Sequence, residues 1–132
     1  MNSPTKKIRT GTTLLVAGYW LALFVATHLP HVPAKLSIPG ADKWEHVGAY
    51  GTLCLLLAVR QTFVPPVNWK ILCRIACFVA LYGVFDELTQ PFVGRHADIA
   101  DWFADILGSA LGLAVFAIAR AFFVRRREPS QP

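Results

Sequence analysis

Charge is what this chain of 132 residues has least of: 16% of its residues are charged, and only eight are acidic. Soluble domains carry about 25% charged and about 45–50% apolar residues, whereas this chain is 55% hydrophobic. With a mean hydropathy of +0.45 and the apolar residues gathered in blocks, an ordinary water-soluble domain is excluded and the integral-membrane class is indicated. Cysteine is equally sparse. Cys54, Cys73 and Cys77 make an odd number with no Cys-x-x-Cys spacing, which argues against a disulfide framework or a zinc ribbon and leaves them as small packing residues. A His-Glu-x-x-His zinc signature is missing. Ser37 and Ser109 lack the strained turn of a nucleophilic serine, so a Ser-His-Asp hydrolase is not supported. There is no internal repeat or low-complexity segment, and the length leaves room for one domain, 1–132.

The net charge of +5 would suit nucleic acid if the cations formed a patch, but they bracket the apolar runs instead. Lys6, Lys7 and Arg9 precede the first run, Arg60, Lys70 and Arg74 surround the central break, and Arg125, Arg126 and Arg127 follow the last run. That distribution orients a multi-pass protein in a membrane and needs no nucleic acid. Apolar patterning and proline or glycine breaks predict helices over 12–29, 43–64, 69–90 and 101–124. The fold class is thus all-α, four transmembrane helices in an antiparallel bundle, both termini cytoplasmic. The first run has no small-x-small cleavage site near its end and reads as an uncleaved helix. Pro30 to Asp42 reads as an outer loop, with His28 and His31 in solvated loop roles. The tail from Arg125 reads as cytoplasmic and disordered. Asp42 is placed to cap the second helix.

What stands out is Asp86 to Gly112, where five acids and an arginine lie between two apolar runs. The uncharged stretch Ile75 to Phe85 spans only about 16 Å as helix, about half the hydrocarbon thickness. Some of the acids beyond it should therefore lie below the outer headgroups, where an unpaired charge costs about 2.5–3.5 kcal/mol on insertion scales. Helical spacing puts Asp86 and Gln90 on one face with Glu87 about 100° away, lines up Asp98, Asp101 and Asp105, and puts Asp42, His46 and Tyr50 on one stripe of the second helix. Arg95 lies in the connecting loop. Ala104, Gly108 and Gly112 recur every four residues, the pattern that lets membrane helices approach closely.

These residues define a candidate substrate-binding set: Asp42, His46, Tyr50, Asp86, Glu87, Gln90, Arg95, Asp98, Asp101 and Asp105. In it Arg95 would pair with an anionic group, while His46, Asp86 and Glu87 are the candidates for proton transfer. No cofactor is expected. A divalent metal is the open alternative, with Asp98, Asp101, Asp105 and Glu87 as hard oxygen ligands. An ion-pair network that only aligns helix ends is the rival to a ligand-binding cleft.

The segments DKWEHVGAYGTL (42–53) and DELTQPFVGRHADIADWFADILGSALG (86–112) together resemble the VanZ-like family of small bacterial membrane proteins. The family pattern falls on Asp42, Lys43, His46, Tyr50, Asp86, Glu87, Gln90, Phe92, Arg95, Asp98, Asp101, Gly108 and Gly112. At position 105 the family often has asparagine where this chain has Asp105. The resemblance implies an envelope role; the family's named member is associated with low-level resistance to the glycopeptide antibiotic teicoplanin. The expected function is engagement of a lipid-linked or anionic envelope component, such as a lipid-linked cell-wall precursor, through an outward-facing cleft. The alternatives are a membrane-embedded enzyme modifying that component and a helical partner in a membrane complex. Oligomeric state is not legible.

Overall fold

Proline at a first helical position costs no hydrogen bond, and threonine hydroxyls inside a helix can be satisfied by carbonyls of the preceding turn. Both features move the start of the first helix forward. In the computed structural model, which describes residues 4–29 and 40–126, α1 runs from Pro4 to His28 instead of starting at Thr12. The Thr12 and Thr13 hydroxyls donate to the carbonyls of Ile8 and Arg9. Helix α2 spans Ala41–Gln61, α3 Trp69–Thr89 and α4 Ile99–Arg125, with a 3-10 turn at Gln90–Val93 between α3 and α4. The described residues contain no strand. The readings of the outer loop over 30–39, with His31, and of the tail beyond Arg126 fall outside the described residues.

Helix ends follow local chemistry. Asn68 caps α3 by accepting from the Ile71 amide at 3.1 Å, and Asp98 caps α4 by accepting from the Ala100 amide at 2.8 Å. Asp42 does not cap α2. That position belongs to Gly40, whose φ of 78° is a left-handed conformation open to glycine, and Asp42 sits inside the first turn with its carboxylate on Lys43 at 3.3 Å. The C-terminal end of α2 stops at Gln61 because its last turn tightens, with amides of Thr62, Phe63 and Val64 each bonding three residues back ahead of Pro65.

The contacts define helix directions. Val47 and Gly51 of α2 lie against Gly108 and Gly112 of α4, so these two helices run the same way. Trp20 sits edge-on to Phe78 and Tyr82, and Thr27 meets Asp86, so α1 and α3 also run together. Tyr19 donating to the Ala49 carbonyl and Arg60 donating to Thr13 set α1 against α2 head to tail. The core between them is Leu23, Tyr50, Leu53, Cys54, Val79 and Tyr82. Cys54 packs as expected, but Cys73 and Cys77 are exposed on α3.

Large apolar side chains also cover the outside, among them Leu14 and Leu21 on α1, Leu81 and Leu88 on α3, and Ile118 and Phe123 on α4. Soluble monomers rarely expose continuous apolar surface of this kind. By length and composition, α1 (25 residues) and α4 (27 residues) can cross a membrane. Helices α2 and α3 carry charges at both ends, Asp42, Lys43, Glu45 and Arg60 in one and Lys70, Arg74, Asp86 and Glu87 in the other. Among the described residues the four-helix, strand-free architecture is as the sequence implies, with two of the helices apolar enough to be candidate spans.

Candidate functional site at the acidic end of the helices

Because α1 and α3 run one way and α2 and α4 the other, the C-terminal ends of the first pair meet the N-terminal ends of the second. That end gathers the acids, while Arg60 and Arg120 make their contacts at the other. Two polar centres result, joined by Gln90.

The first centre is built on Asp86, which is fully buried. Its Oδ1 accepts from the Thr27 hydroxyl at 2.8 Å and its Oδ2 from Gln90 Nε2 at 3.3 Å. His28 Nδ1 stands 3.6 Å from Oδ1 and donates to the Phe24 carbonyl at 2.9 Å, with Nε2 2.9 Å from Thr89 Oγ1. His28 is therefore a helical residue in contact with α3, not a loop histidine. Neither it nor Thr27 was singled out for the site from sequence. The available signal was two polar residues ending an apolar run at the depth of the α3 acids.

The second centre is built on His46. Its Nδ1 lies 2.9 Å from Asp105 Oδ1, and its Nε2 faces Asp101 Oδ2 at 3.7 Å. Lys43 reaches across to α4, donating to Asp101 at 3.0 Å and Asp98 at 3.1 Å as well as to Asp42. Glu87 accepts from Gln90 at 3.2 Å and, through its other oxygen, from the Asp98 amide at 2.8 Å. The Tyr50 ring lies nearly parallel to His46, with Tyr82 beyond it. The Tyr50 and Tyr82 hydroxyls, Asp105 Oδ2 and Ser109 Oγ are buried without a hydrogen-bond partner among the described residues. Gly83 packs beside Asp105, where a Cβ would come within 2.8 Å of Oδ2 and displace that carboxylate.

The ten residues singled out from sequence thus divide. His46, Asp86, Glu87, Gln90, Asp101 and Asp105 are buried together, with Tyr50 beneath. Asp42 and Asp98 lie at the half-exposed rim, held by Lys43. Arg95 stands apart: its amide bonds to the Gln90 carbonyl, but its side chain pairs with no acid among the described residues. Gly94, left-handed at φ 77°, turns the chain just before it. Two surface hollows, one lined by Leu72, Phe116 and Arg120 and the other by Arg9, Thr13 and Arg60, lie at the opposite, basic end.

Asp98 is outside the helices, and its carboxyl is held below the usual range by the Ala100 amide that it caps and then by Lys43. A lowered folded-state value means that its stabilisation is complete above the unfolded carboxylate value of about 3.9 and is lost as pH falls through the lower folded value. Thermal unfolding in detergent should therefore show melting falling on acidification below about pH 4, with a shallower fall in Asp98→Asn, which keeps a capping oxygen. Identical acid limbs for the two proteins would contradict this assignment.

An all-helical chain with apolar outer faces, two helices able to cross a membrane and a buried acid–histidine network at one end points to a membrane protein. The model of the VanZ/LLP1 family matches residues 19–120, and the chain belongs to that family. No curated protein and no solved structure matches it.

Proposed function

We propose that the protein is a four-span antiparallel bundle in the bacterial cytoplasmic membrane, with both termini cytoplasmic, and that its outer end engages the anionic group of a lipid-linked envelope component. The observation that carries this is the contrast between two cations. Lys43 is committed to three carboxylates, whereas the Arg95 guanidinium has no partner among the described residues. Arg95 presents a planar fork suited to phosphate or carboxylate. Phe92 beside it is 87% exposed, and Trp44 and Ile99 are likewise exposed near that end, as expected of residues resting at a membrane interface. The charge rule supports the orientation, since Lys6, Lys7 and Arg9 lie in the first turns of α1 and Arg125 and Arg126 close α4. The family supports an envelope role; a link to glycopeptide resistance is part of the same proposal.

The test is capture of vesicles containing a polyprenyl phosphate by purified protein. Arg95→Ala should weaken capture at least about tenfold, the loss of one charge-assisted hydrogen bond of about 1.5–3 kcal/mol. Its thermal stability should fall by less than about 1 kcal/mol, since the half-buried Arg95 side chain has no ion pair to lose among the described residues. Equal capture by wild type and Arg95→Ala, or none by either, would sink this reading.

A further inference from the structure

We infer that His46, Glu87 and Asp101 form a site for a first-row divalent metal ion of the zinc or manganese type. The three side chains come from three different helices, all are buried, and one nitrogen or oxygen from each lies within 4.8 Å of the others. This inference does not depend on the anion-binding role proposed above.

The histidine supplies the strongest argument. Asp105 Oδ1, 2.9 Å from Nδ1, accepts the ring N–H and so leaves the lone pair on Nε2. A carboxylate holding the far nitrogen of an imidazole is the usual outer-shell support of a metal-bound histidine. Nε2 then faces Asp101 Oδ2 across 3.7 Å, too far for a hydrogen bond. Two ligands about 2.1 Å from a tetrahedral ion stand about 3.4 Å apart. Neither facing atom has a hydrogen bond among the described residues, and the His46 and Asp101 side chains are 7% and 10% exposed.

The remaining ligands are held in a matching way. Asp101 Oδ1 is taken by Lys43 at 3.0 Å, which leaves Oδ2 turned towards the histidine. Both Glu87 oxygens accept one hydrogen bond, from Gln90 and from the Asp98 amide, and each keeps a further acceptor position. Charge favours a cation as well. Asp86, Glu87, Asp101 and Asp105 are all buried, and Lys43, which reaches Asp101, is shared with the two rim carboxylates Asp42 and Asp98. One imidazole with two carboxylates suits zinc or manganese better than magnesium or calcium, which prefer oxygen alone. Three protein ligands leave at least one position open. The ligand set differs from the acids aligned by sequence spacing: Asp98 is occupied as a helix cap, and Asp105 supports the histidine.

The rival arrangement is a protonated His46 paired with Asp105 and Asp101, and metal binding separates the two. Full-length protein in detergent, stripped with a chelator, would be titrated with Zn²⁺, Mn²⁺, Mg²⁺ and Ca²⁺ by calorimetry and by Co²⁺ absorption spectra. One equivalent of Zn²⁺ or Mn²⁺ should bind, with Co²⁺ giving the visible bands of a site containing nitrogen. The near-isosteric Glu87→Gln and Asp101→Asn should each weaken binding at least about tenfold while melting cooperatively without metal. His46→Gln should abolish the Co²⁺ spectrum. Absence of a stoichiometric equivalent, or unchanged binding in Glu87→Gln and Asp101→Asn, would overturn the site and assign any bound metal to other histidines.

Discussion

Gly108→Val is expected to destabilise the protein by on the order of 2–3 kcal/mol, read as a fall in the melting temperature of detergent-purified protein. A Cβ at Gly108 would collide with the Val47 carbonyl oxygen and come within 2.9 Å of the Val47 Cα; one at Gly112 would collide with the Gly51 carbonyl oxygen. These obstacles are backbone atoms of α2, so no side-chain rotation relieves them, and the two helices must move apart. Separation would also draw His46 away from Asp105 and Lys43 away from Asp101, because the same helix pair carries both contacts. Gly48 is the internal control. It is exposed on α2 with nothing within 4 Å of its would-be Cβ, so Gly48→Ala should be neutral or stabilise by about 0.5–1 kcal/mol through helix propensity. A Gly108→Val protein melting with wild type would mean that the close α2–α4 contact is not formed.

Asp86→Ala should cost about 3 kcal/mol or more, the penalty for taking one partner from a buried charged network. It would leave the Thr27 hydroxyl and one Gln90 contact without their acceptor. The loss should be felt between α1 and α3, since Thr27 to Asp86 is a direct polar tie between them. Thr27→Val removes the other end of that tie and should cost about 1.5–3 kcal/mol, the range for hydrogen bonds to charged groups. If the two side chains act as a pair, the double variant loses less than the sum of the singles, and a double-mutant cycle measures the difference. Strict additivity would mean that the Thr27–Asp86 bond contributes nothing.

Several parts of this arrangement were open to reading from residue order. Helical spacing alone put Asp101 and Asp105 on one stripe and His46 and Tyr50 on another, because the α-helix has one period and little else can alter it. The four-residue recurrence of Ala104, Gly108 and Gly112 marked a face made for close approach, but not its partner, which is Val47 and Gly51 of α2. The Asp42 side chain suits a cap, but the left-handed backbone at Gly40 sets the start of α2 two residues earlier. His28 falls within the helix predicted over 12–29, and Pro30 nearby suggests a solvated side chain; the structure instead turns that side chain against Asp86 and Thr89 of α3. The exposed Cys73 and Cys77 show the same gap: apolar neighbours along the chain do not reveal which side of a helix is packed.

By itself, then, the sequence determined that the chain is helical, apolar outside as well as inside, basic at one set of helix ends and acidic at the other. Those properties follow from composition and period, which are local. Only the tertiary structure decided that α2 lies against α4 at backbone distance, that Asp105 supports His46 while Asp98 caps a helix, that α1 contributes Thr27 and His28, and that Arg95 stays outside the ion pairs. Each of those outcomes depends on which helix faces are neighbours and how far each slides along the next. That is settled by the fit of small residues against backbone and by the need of buried carboxylates for donors, neither of which residue order specifies.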